Sequence, residues 1–182
     1  MNENDATGGW KIGKKKVVYN KRFKVVEYSV KTPSGKTSIY NHVDIGDVSV
    51  VVALTSDKEV ITVRQFRPTF GKEMISLPAG RVEGKETPLE CAKRELREEA
   101  GFLADDWRHI GSFAVAPGMQ SNRFHIFLAQ FLKEGVAALD ENEFIEIGKI
   151  HIDELLEGIK NNAYDYTSLV LSLLLARFKK LI

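Results

Sequence analysis

Apolar residues recur along this chain with two different periods, and the switch between them lays out the elements. Residues 15–30 and 37–44 mix β-branched, aromatic and basic side chains around Pro33-Ser34-Gly35, predicting two strands joined by a turn. Val48 to Leu54 and Val60 to Phe66 are apolar, β-branched runs around Ser56-Asp57-Lys58 and predict two more strands. Pro78-Ala79-Gly80 reads as a strand break. Leu89, Ala92, Leu96 and Ala100 then recur every three or four residues, the apolar stripe of a helix. Trp107 to Val115 and Phe124 to Leu132 predict strands separated by Pro117-Gly118, and Glu146 to Ile152 predicts another. Helices follow at about 152–160 and 166–180, the last too short and too charged at its end to span a bilayer. Residues 1–9 read as disordered. Strands mixed with a few packed helices imply a layered α/β domain.

The central helix carries its own start and stop signals. Thr87 suits the N-cap, Pro88 the first helical position, and Glu90 completes a T-x-x-E capping box. Gly101 suits the position just past the end. Glu95, Glu98 and Glu99 stand at i, i+3 and i+4, on one face beside the apolar stripe. Like charges at that spacing cost an isolated helix roughly 0.2–0.5 kcal/mol per pair. Either the face is simply solvated, or a hard divalent cation such as Mg²⁺ offsets the repulsion through carboxylate oxygens.

Composition narrows the function classes. The chain's 182 residues suit one domain, or a domain with a small appendage, and its formal net charge of +1 argues against a bulk nucleic-acid binder. Cys91 is the sole cysteine, so no intrachain disulfide forms and a reducing compartment is expected. It reads as a packing residue within the helix. MNENDATGGW lacks the apolar core of a signal peptide, so a cytoplasmic protein without membrane association is expected. Lys11, Lys14, Lys15, Lys16, Lys21, Arg22 and Lys24 form one basic cluster. It reads as a solvated strand edge, or as a patch that steers anionic nucleotides or acidic partners.

Spacing within GRVEGKETPLECAKRELREEAGF adds a specific signal. Gly80 is followed by five residues, Glu86, seven residues, Arg94-Glu95-Leu96, one residue, Glu98-Glu99, one residue, and Gly101-Phe102. This resembles the Nudix box, G-x5-E-x7-R-E-U-x-E-E-x-G-U with U apolar, at every specified position. The resemblance implies an α/β/α sandwich with a mixed β-sheet and an N-terminal antiparallel β-region. It implies Glu95 and Glu99 as the main metal ligands, Glu98 sharing or supporting them, and the Ala79 carbonyl as a backbone ligand. Arg94 and Glu86 would brace the loop and helix. The implied cofactor is Mg²⁺, with Mn²⁺ as a substitute, activating water for attack on a phosphate.

The likeness extends beyond the box. Gln65-Phe66-Arg67 before Leu77-Pro78-Ala79-Gly80, then Pro117-Gly118 and Asp140-Glu141-Asn142-Glu143, resemble the ADP-ribose and nucleoside-diphosphate-sugar pyrophosphatase branch. Arg67 suits bidentate contact with a diphosphate, or else a strand-end salt bridge. Glu141, ahead of Glu143, is the expected mobile base. Phe23 and Tyr40, with Tyr19 and Tyr28, are candidates for stacking the nucleobase, and Pro117 and Gly118 for substrate contact. In this reading residues 1–45 form a β-region serving dimerisation and base contacts, and residues 46–182 the catalytic domain. A nucleotide sugar is the expected substrate and a homodimer the expected assembly. Ser121 and Asn122 stand where many ADP-ribose hydrolases carry an acid, so more than one terminal sugar is expected to be accepted. The alternatives are a Nudix hydrolase specific for GDP-mannose, for nucleoside triphosphates or for dinucleotides, and a catalytically inactive binding module, against which the intact carboxylate set argues.

Overall fold

The computed structural model describes residues 8–138 and 144–182. The chain forms two compact units, Met1–Gly46 with Ala114–Asn122, and Asp47–Phe113 with Arg123–Ile182. Of the segment expected to be disordered, residues 1–7 lie outside the described residues, and Gly8 and Gly9 form a turn.

The first unit is an antiparallel sheet. Strands β1 (Lys11–Ile12) and β2 (Lys16–Asn20) share one edge of β3 (Lys24–Lys31), and β4 (Thr37–Asp44) pairs along the other, with Tyr28 opposite Tyr40. The single strand expected over 15–30 is therefore two. The polar run Asn20-Lys21-Arg22 turns the chain, with Lys21 N–H donating to the Phe23 carbonyl at 3.1 Å. Gly35 supplies the positive φ of +88° that closes the β3–β4 turn.

The second unit has two sheets. In one, β5 (Val48–Ala53) pairs antiparallel with β8 (Ala79–Arg81) and parallel with β10 (Arg123–Glu134), and β9 (Phe102–Ala114) completes the order β8-β5-β10-β9. In the other, β6 (Glu59–Arg67) lies between β7 (Lys72–Ser76) and β11 (Ile145–His151). The helices are α1 (Pro88–Ala100), α2 (Ile152–Lys160) and α3 (Thr167–Phe178). No helix among the described residues is long and apolar enough to cross a membrane.

The two-residue period of the strands builds two cores. Val50, Val52, Ile126 and Leu128 pack with Leu169 and Leu173 of α3 on one face. Val51, Ala53, Phe127 and Ala129 pack with Ala92 and Leu96 of α1 on the other. Both faces of the β5–β10 pair are covered, which is why these strands read as continuous apolar runs. The result is the expected α/β/α arrangement.

Three elements differ from the expectation. Pro78-Ala79-Gly80 is not a simple break, because Ala79–Arg81 forms a strand on the edge of β5. Pro78 lacks an N–H, but its carbonyl still accepts from Val51 N–H at 2.9 Å. Strand β7 carried no clear apolar signature, and β9 begins at Phe102, five residues before the expected start.

A hydrogen-bond chain fastens the ends of three strands. Asp47 Oδ1 accepts from Arg123 N–H at 2.8 Å, and Asp47 Oδ2 lies 3.0 Å from His125 Nε2. Ser112 Oγ bridges His125 Nδ1 at 2.8 Å and His109 Nε2 at 2.9 Å. Burial pushes the Asp47 carboxyl up, but the hydrogen bonds from His125 and Arg123 outweigh it and hold the carboxyl below its ordinary value. A folded value below the unfolded one, about 3.9 for Asp, contributes stability that is present above that pH and lost as pH falls through the folded value. We therefore expect Asp47→Asn to lower stability at neutral pH and to flatten the loss on acidification below about pH 4. Denaturant titrations at stepped pH check this, and an unchanged acid slope would contradict it.

Candidate active site

Helix α1 begins at a reciprocal cap. Thr87 Oγ1 accepts from Glu90 N–H at 3.3 Å, and Glu90 Oε2 accepts from Thr87 N–H at 2.6 Å. Gly101 ends the helix at φ +71°, a left-handed conformation that glycine adopts without penalty. With both ends fixed, burying Leu96 and Ala92 on β5 draws the neighbouring acidic face to the margin of the core. Glu95 and Glu99 are only 9% and 8% exposed.

The backbone of β8 runs directly against these carboxylates. Ala79 N–H donates to Glu99 Oε2 at 2.9 Å. A Cβ on Gly80 would collide with the Glu95 carboxylate, so this position admits only glycine without displacing the acid. Register sets the approach, since Ala79 pairs with Val50 and Gly80 with Ser49.

Arg94 gathers the rest of the cluster. Its Nε and Nη2 donate to Glu86 Oε2 and Oε1 at 3.2 and 2.9 Å, a bidentate pair. Nη1 donates to Glu95 Oε1 at 2.6 Å and Glu98 Oε2 at 3.1 Å, and Nη2 also reaches the Arg81 carbonyl at 3.0 Å. Glu86 Oε1 accepts in addition from Glu83 N–H at 2.7 Å, tying the loop before α1 to the helix. The Arg94 hydrogen bonds hold Glu86 below the ordinary carboxylate value against the opposing effect of burial. Glu86 in turn raises Arg94 above the ordinary guanidinium value despite partial burial, so both groups stay charged.

Two further residues hold this arrangement, and sequence pattern alone did not single them out for it. The Cys91 thiol lies 3.5 Å from the Gly80 carbonyl and 3.3 Å from that of Arg81. Burial pushes its pKa up to about 11, so the sulfur keeps its proton as a weak donor and is no nucleophile. Ser49 Oγ donates to the Pro88 carbonyl at 2.7 Å, pinning the start of α1 to β5. Their partners lie 10 to 39 positions away, where no local period reveals them.

Glu95, Glu98 and Glu99 with the Ala79 carbonyl form an all-oxygen donor set, the kind a hard divalent cation takes. Among the described residues no three acidic, histidine or cysteine groups converge on one point. Glu95 and Glu98 turn to Arg94, and Glu99 turns to Ala79 N–H. The donors fit a divalent ion in kind, with Arg94 bonded to one oxygen each of Glu95 and Glu98.

The remaining candidates are dispersed. Arg67 makes no ion pair among the described residues; its guanidinium lies 5.5 Å over the Tyr166 ring, with Nε buried and unpartnered. In the first unit, Tyr40 OH donates to the Gly118 carbonyl at 2.8 Å, beside the exposed Pro117. Tyr40 also sits 5.7 Å from the Tyr28 ring, whereas Phe23 stacks on Tyr19 at 5.1 Å. Asn122 is buried, with both amide atoms lacking hydrogen-bond partners among the described residues. Glu141 and Glu143 lie outside the described residues.

An α/β/α sandwich whose glutamate-bearing helix is clasped to an edge strand, with glycine at the point of closest approach, defines the class, a layered α/β domain with an acidic cluster on a fixed helix. A model of the NUDIX domain matches residues 46–170, and the chain belongs to that family of hydrolases. The chain is 34% identical over 144 residues to a methanol dehydrogenase activator of Bacillus methanolicus, covering 78% of each protein. It is 32% identical over 157 residues to an ADP-ribose pyrophosphatase of Bacillus subtilis, covering 85% of each. The crystal structure of an ADP compounds hydrolase superposes with a TM-score of 0.79 at 22% identity over 92% of each chain, a likeness of fold. Nudix hydrolases generally require a divalent metal ion.

Proposed function

We propose that this Nudix hydrolase cleaves the diphosphate of ADP-ribose and related nucleoside diphosphate sugars, releasing a nucleoside monophosphate and a sugar phosphate. The observation that carries the reading is the pair of nearly buried carboxylates, Glu99 held by the Ala79 N–H and Glu95 packed against Gly80. The similarity to ADP-ribose pyrophosphatase over most of the chain supports the substrate class.

Glu95, Glu98, Glu99 and the Ala79 carbonyl would hold the metal, Mg²⁺ in the cell with Mn²⁺ able to replace it. Bound there, it neutralises diphosphate charge and lowers the pKa of an attacking water. The protein supplies position. Arg94 and Glu86 keep α1 and its preceding loop in fixed relation, so the three glutamates keep their phase on the helix. Arg67 contributes a cation to the diphosphate by leaving the Tyr166 ring. Glu141, ahead of Glu143, takes the proton from the attacking water. Residues 1–45 serve dimerisation and base contacts through Phe23 and Tyr40, residues 46–182 carry catalysis, and Pro117 with Gly118 contacts the substrate. The protein acts as a homodimer in the cytoplasm.

Purified protein with Mg²⁺ and a panel of nucleotides, read by product mass, tests the substrate class. ADP-ribose is expected to yield AMP and ribose 5-phosphate, with at least one GDP- or ADP-hexose also cleaved. Cleavage of GDP-mannose alone or of dinucleotides alone would replace the substrate, and exclusive cleavage of nucleoside triphosphates would refute the class.

A further inference from the structure

A cavity of about 510 Å³ opens where β5 and β10 end, in the second unit. It starts at Leu54, four residues beyond the Val50–Ala79 pairing, which is about 13 Å along the strand. None of its lining residues belongs to the carboxylate cluster. The volume falls in the range of small-molecule sites, and the lining combines aromatic rings with a few polar groups.

Phe131 is the first unusual feature. It stands within β10 with φ +54°, a left-handed conformation that bulky residues almost never adopt, and 72% of it is exposed. A strained backbone that holds an aromatic ring in water is costly twice over, and such outliers gather where a ligand is gripped. Lys149 is the second. Its Nζ lies 5.5 Å over the Phe102 ring, and among the described residues it has no ion pair. The other lysine of the lining, Lys133, is neutralised by Asp105 at 2.7 Å. Glu134 is the remaining charged residue of the lining and is exposed.

We propose that this cavity binds an aromatic anion of about the size of a nucleoside monophosphate. The ring lies against Phe131, the anionic group meets Lys149 where it covers the Phe102 ring, and Ser56 and Gln130 supply hydrogen bonds. The ligand chemistry is shared by nucleotides and by unrelated aromatic carboxylates. Binding requires neither the metal nor hydrolysis, so the site stands whether or not the proposed reaction does.

Calorimetric titration of the full chain in chelator, with AMP and with 1-naphthoate as probes, tests the site. At least one probe is expected to bind with Kd below about 1 mM. Phe131→Ala and Lys149→Gln should each weaken that binding about tenfold, and Glu98→Gln should leave it unchanged. Phe131→Gly should weaken binding at least as much as Phe131→Ala while raising the melting temperature, because it relieves the backbone strain. AMP binding that falls in both cavity variants assigns the site to nucleotides, and 1-naphthoate binding that does so with no such AMP effect assigns it to aromatic carboxylates. Failure of both probes would overturn the proposal, as would binding kept in both cavity variants, whether or not Glu98→Gln affects it.

Discussion

Glu99→Gln and Glu98→Gln are each expected to lower turnover at least about 100-fold while leaving the fold intact. Glu99 is nearly buried, and its Oε2 accepts the Ala79 N–H. Glutamine keeps the length of the side chain and an oxygen for that N–H, so β8 stays in place. What it removes is the charge and one oxygen of the donor set. Glu98 is more open and shares Arg94 and Arg97 at 3.1 Å each, so its loss leaves both arginines with other partners or with water. Turnover at saturating Mg²⁺, with circular dichroism and melting curves as controls, separates the two effects. Near-normal activity in both variants would remove these carboxylates from the metal-binding role.

Gly80→Ala is expected to be nearly as damaging, for a reason of space alone. The new methyl group would occupy the volume of the Glu95 carboxylate, and β8 is fixed from behind by its pairing with β5. Glu95 must therefore swing away, taking with it the 2.6 Å contact to Arg94. We expect an activity loss on the order of 100-fold or more, with a modest loss of stability, since misplaced catalytic groups are penalised steeply. Gly84→Ala is the control. Gly84 has φ +53° and open space around it, so it should cost about 1–2 kcal/mol of stability from backbone strain and little activity. If Gly80→Ala keeps half the wild-type turnover, close packing on Glu95 is not needed.

Much of this arrangement was legible because it is local. The capping box, the stripe of Leu89, Ala92, Leu96 and Ala100, and the three glutamates all lie within one helix, where spacing alone fixes the shared face. The strands of β5, β6 and β10 announced themselves by uninterrupted β-branched residues. What remained hidden depends on partners distant in sequence. Ala79–Arg81 becomes a strand only because the edge of β5 offers it hydrogen bonds. Arg67 reads as a phosphate ligand or a salt bridge, and nothing local in the sequence places the Tyr166 ring beneath it. Phe131 gives no sign in the sequence that its backbone is left-handed. Asp47 and His125 stand 78 positions apart, and neither forms part of a local pattern.

The tie between Asp47, His125 and Ser112 bears on how the chain can diverge. The polypeptide passes between the two units at three peptide bonds, after residues 46, 113 and 122. Asp47, Ser112 and Arg123, each within two residues of one of those passages, are all held in a single hydrogen-bond chain. The ends of β5, β9 and β10 are thus pinned together from within the second unit. All four tied residues, Asp47, Ser112, Arg123 and His125, belong to the second unit, so drift confined to the loops and aromatic residues of the first unit leaves this anchorage intact, whereas a change at any of the four loosens three strand ends at once.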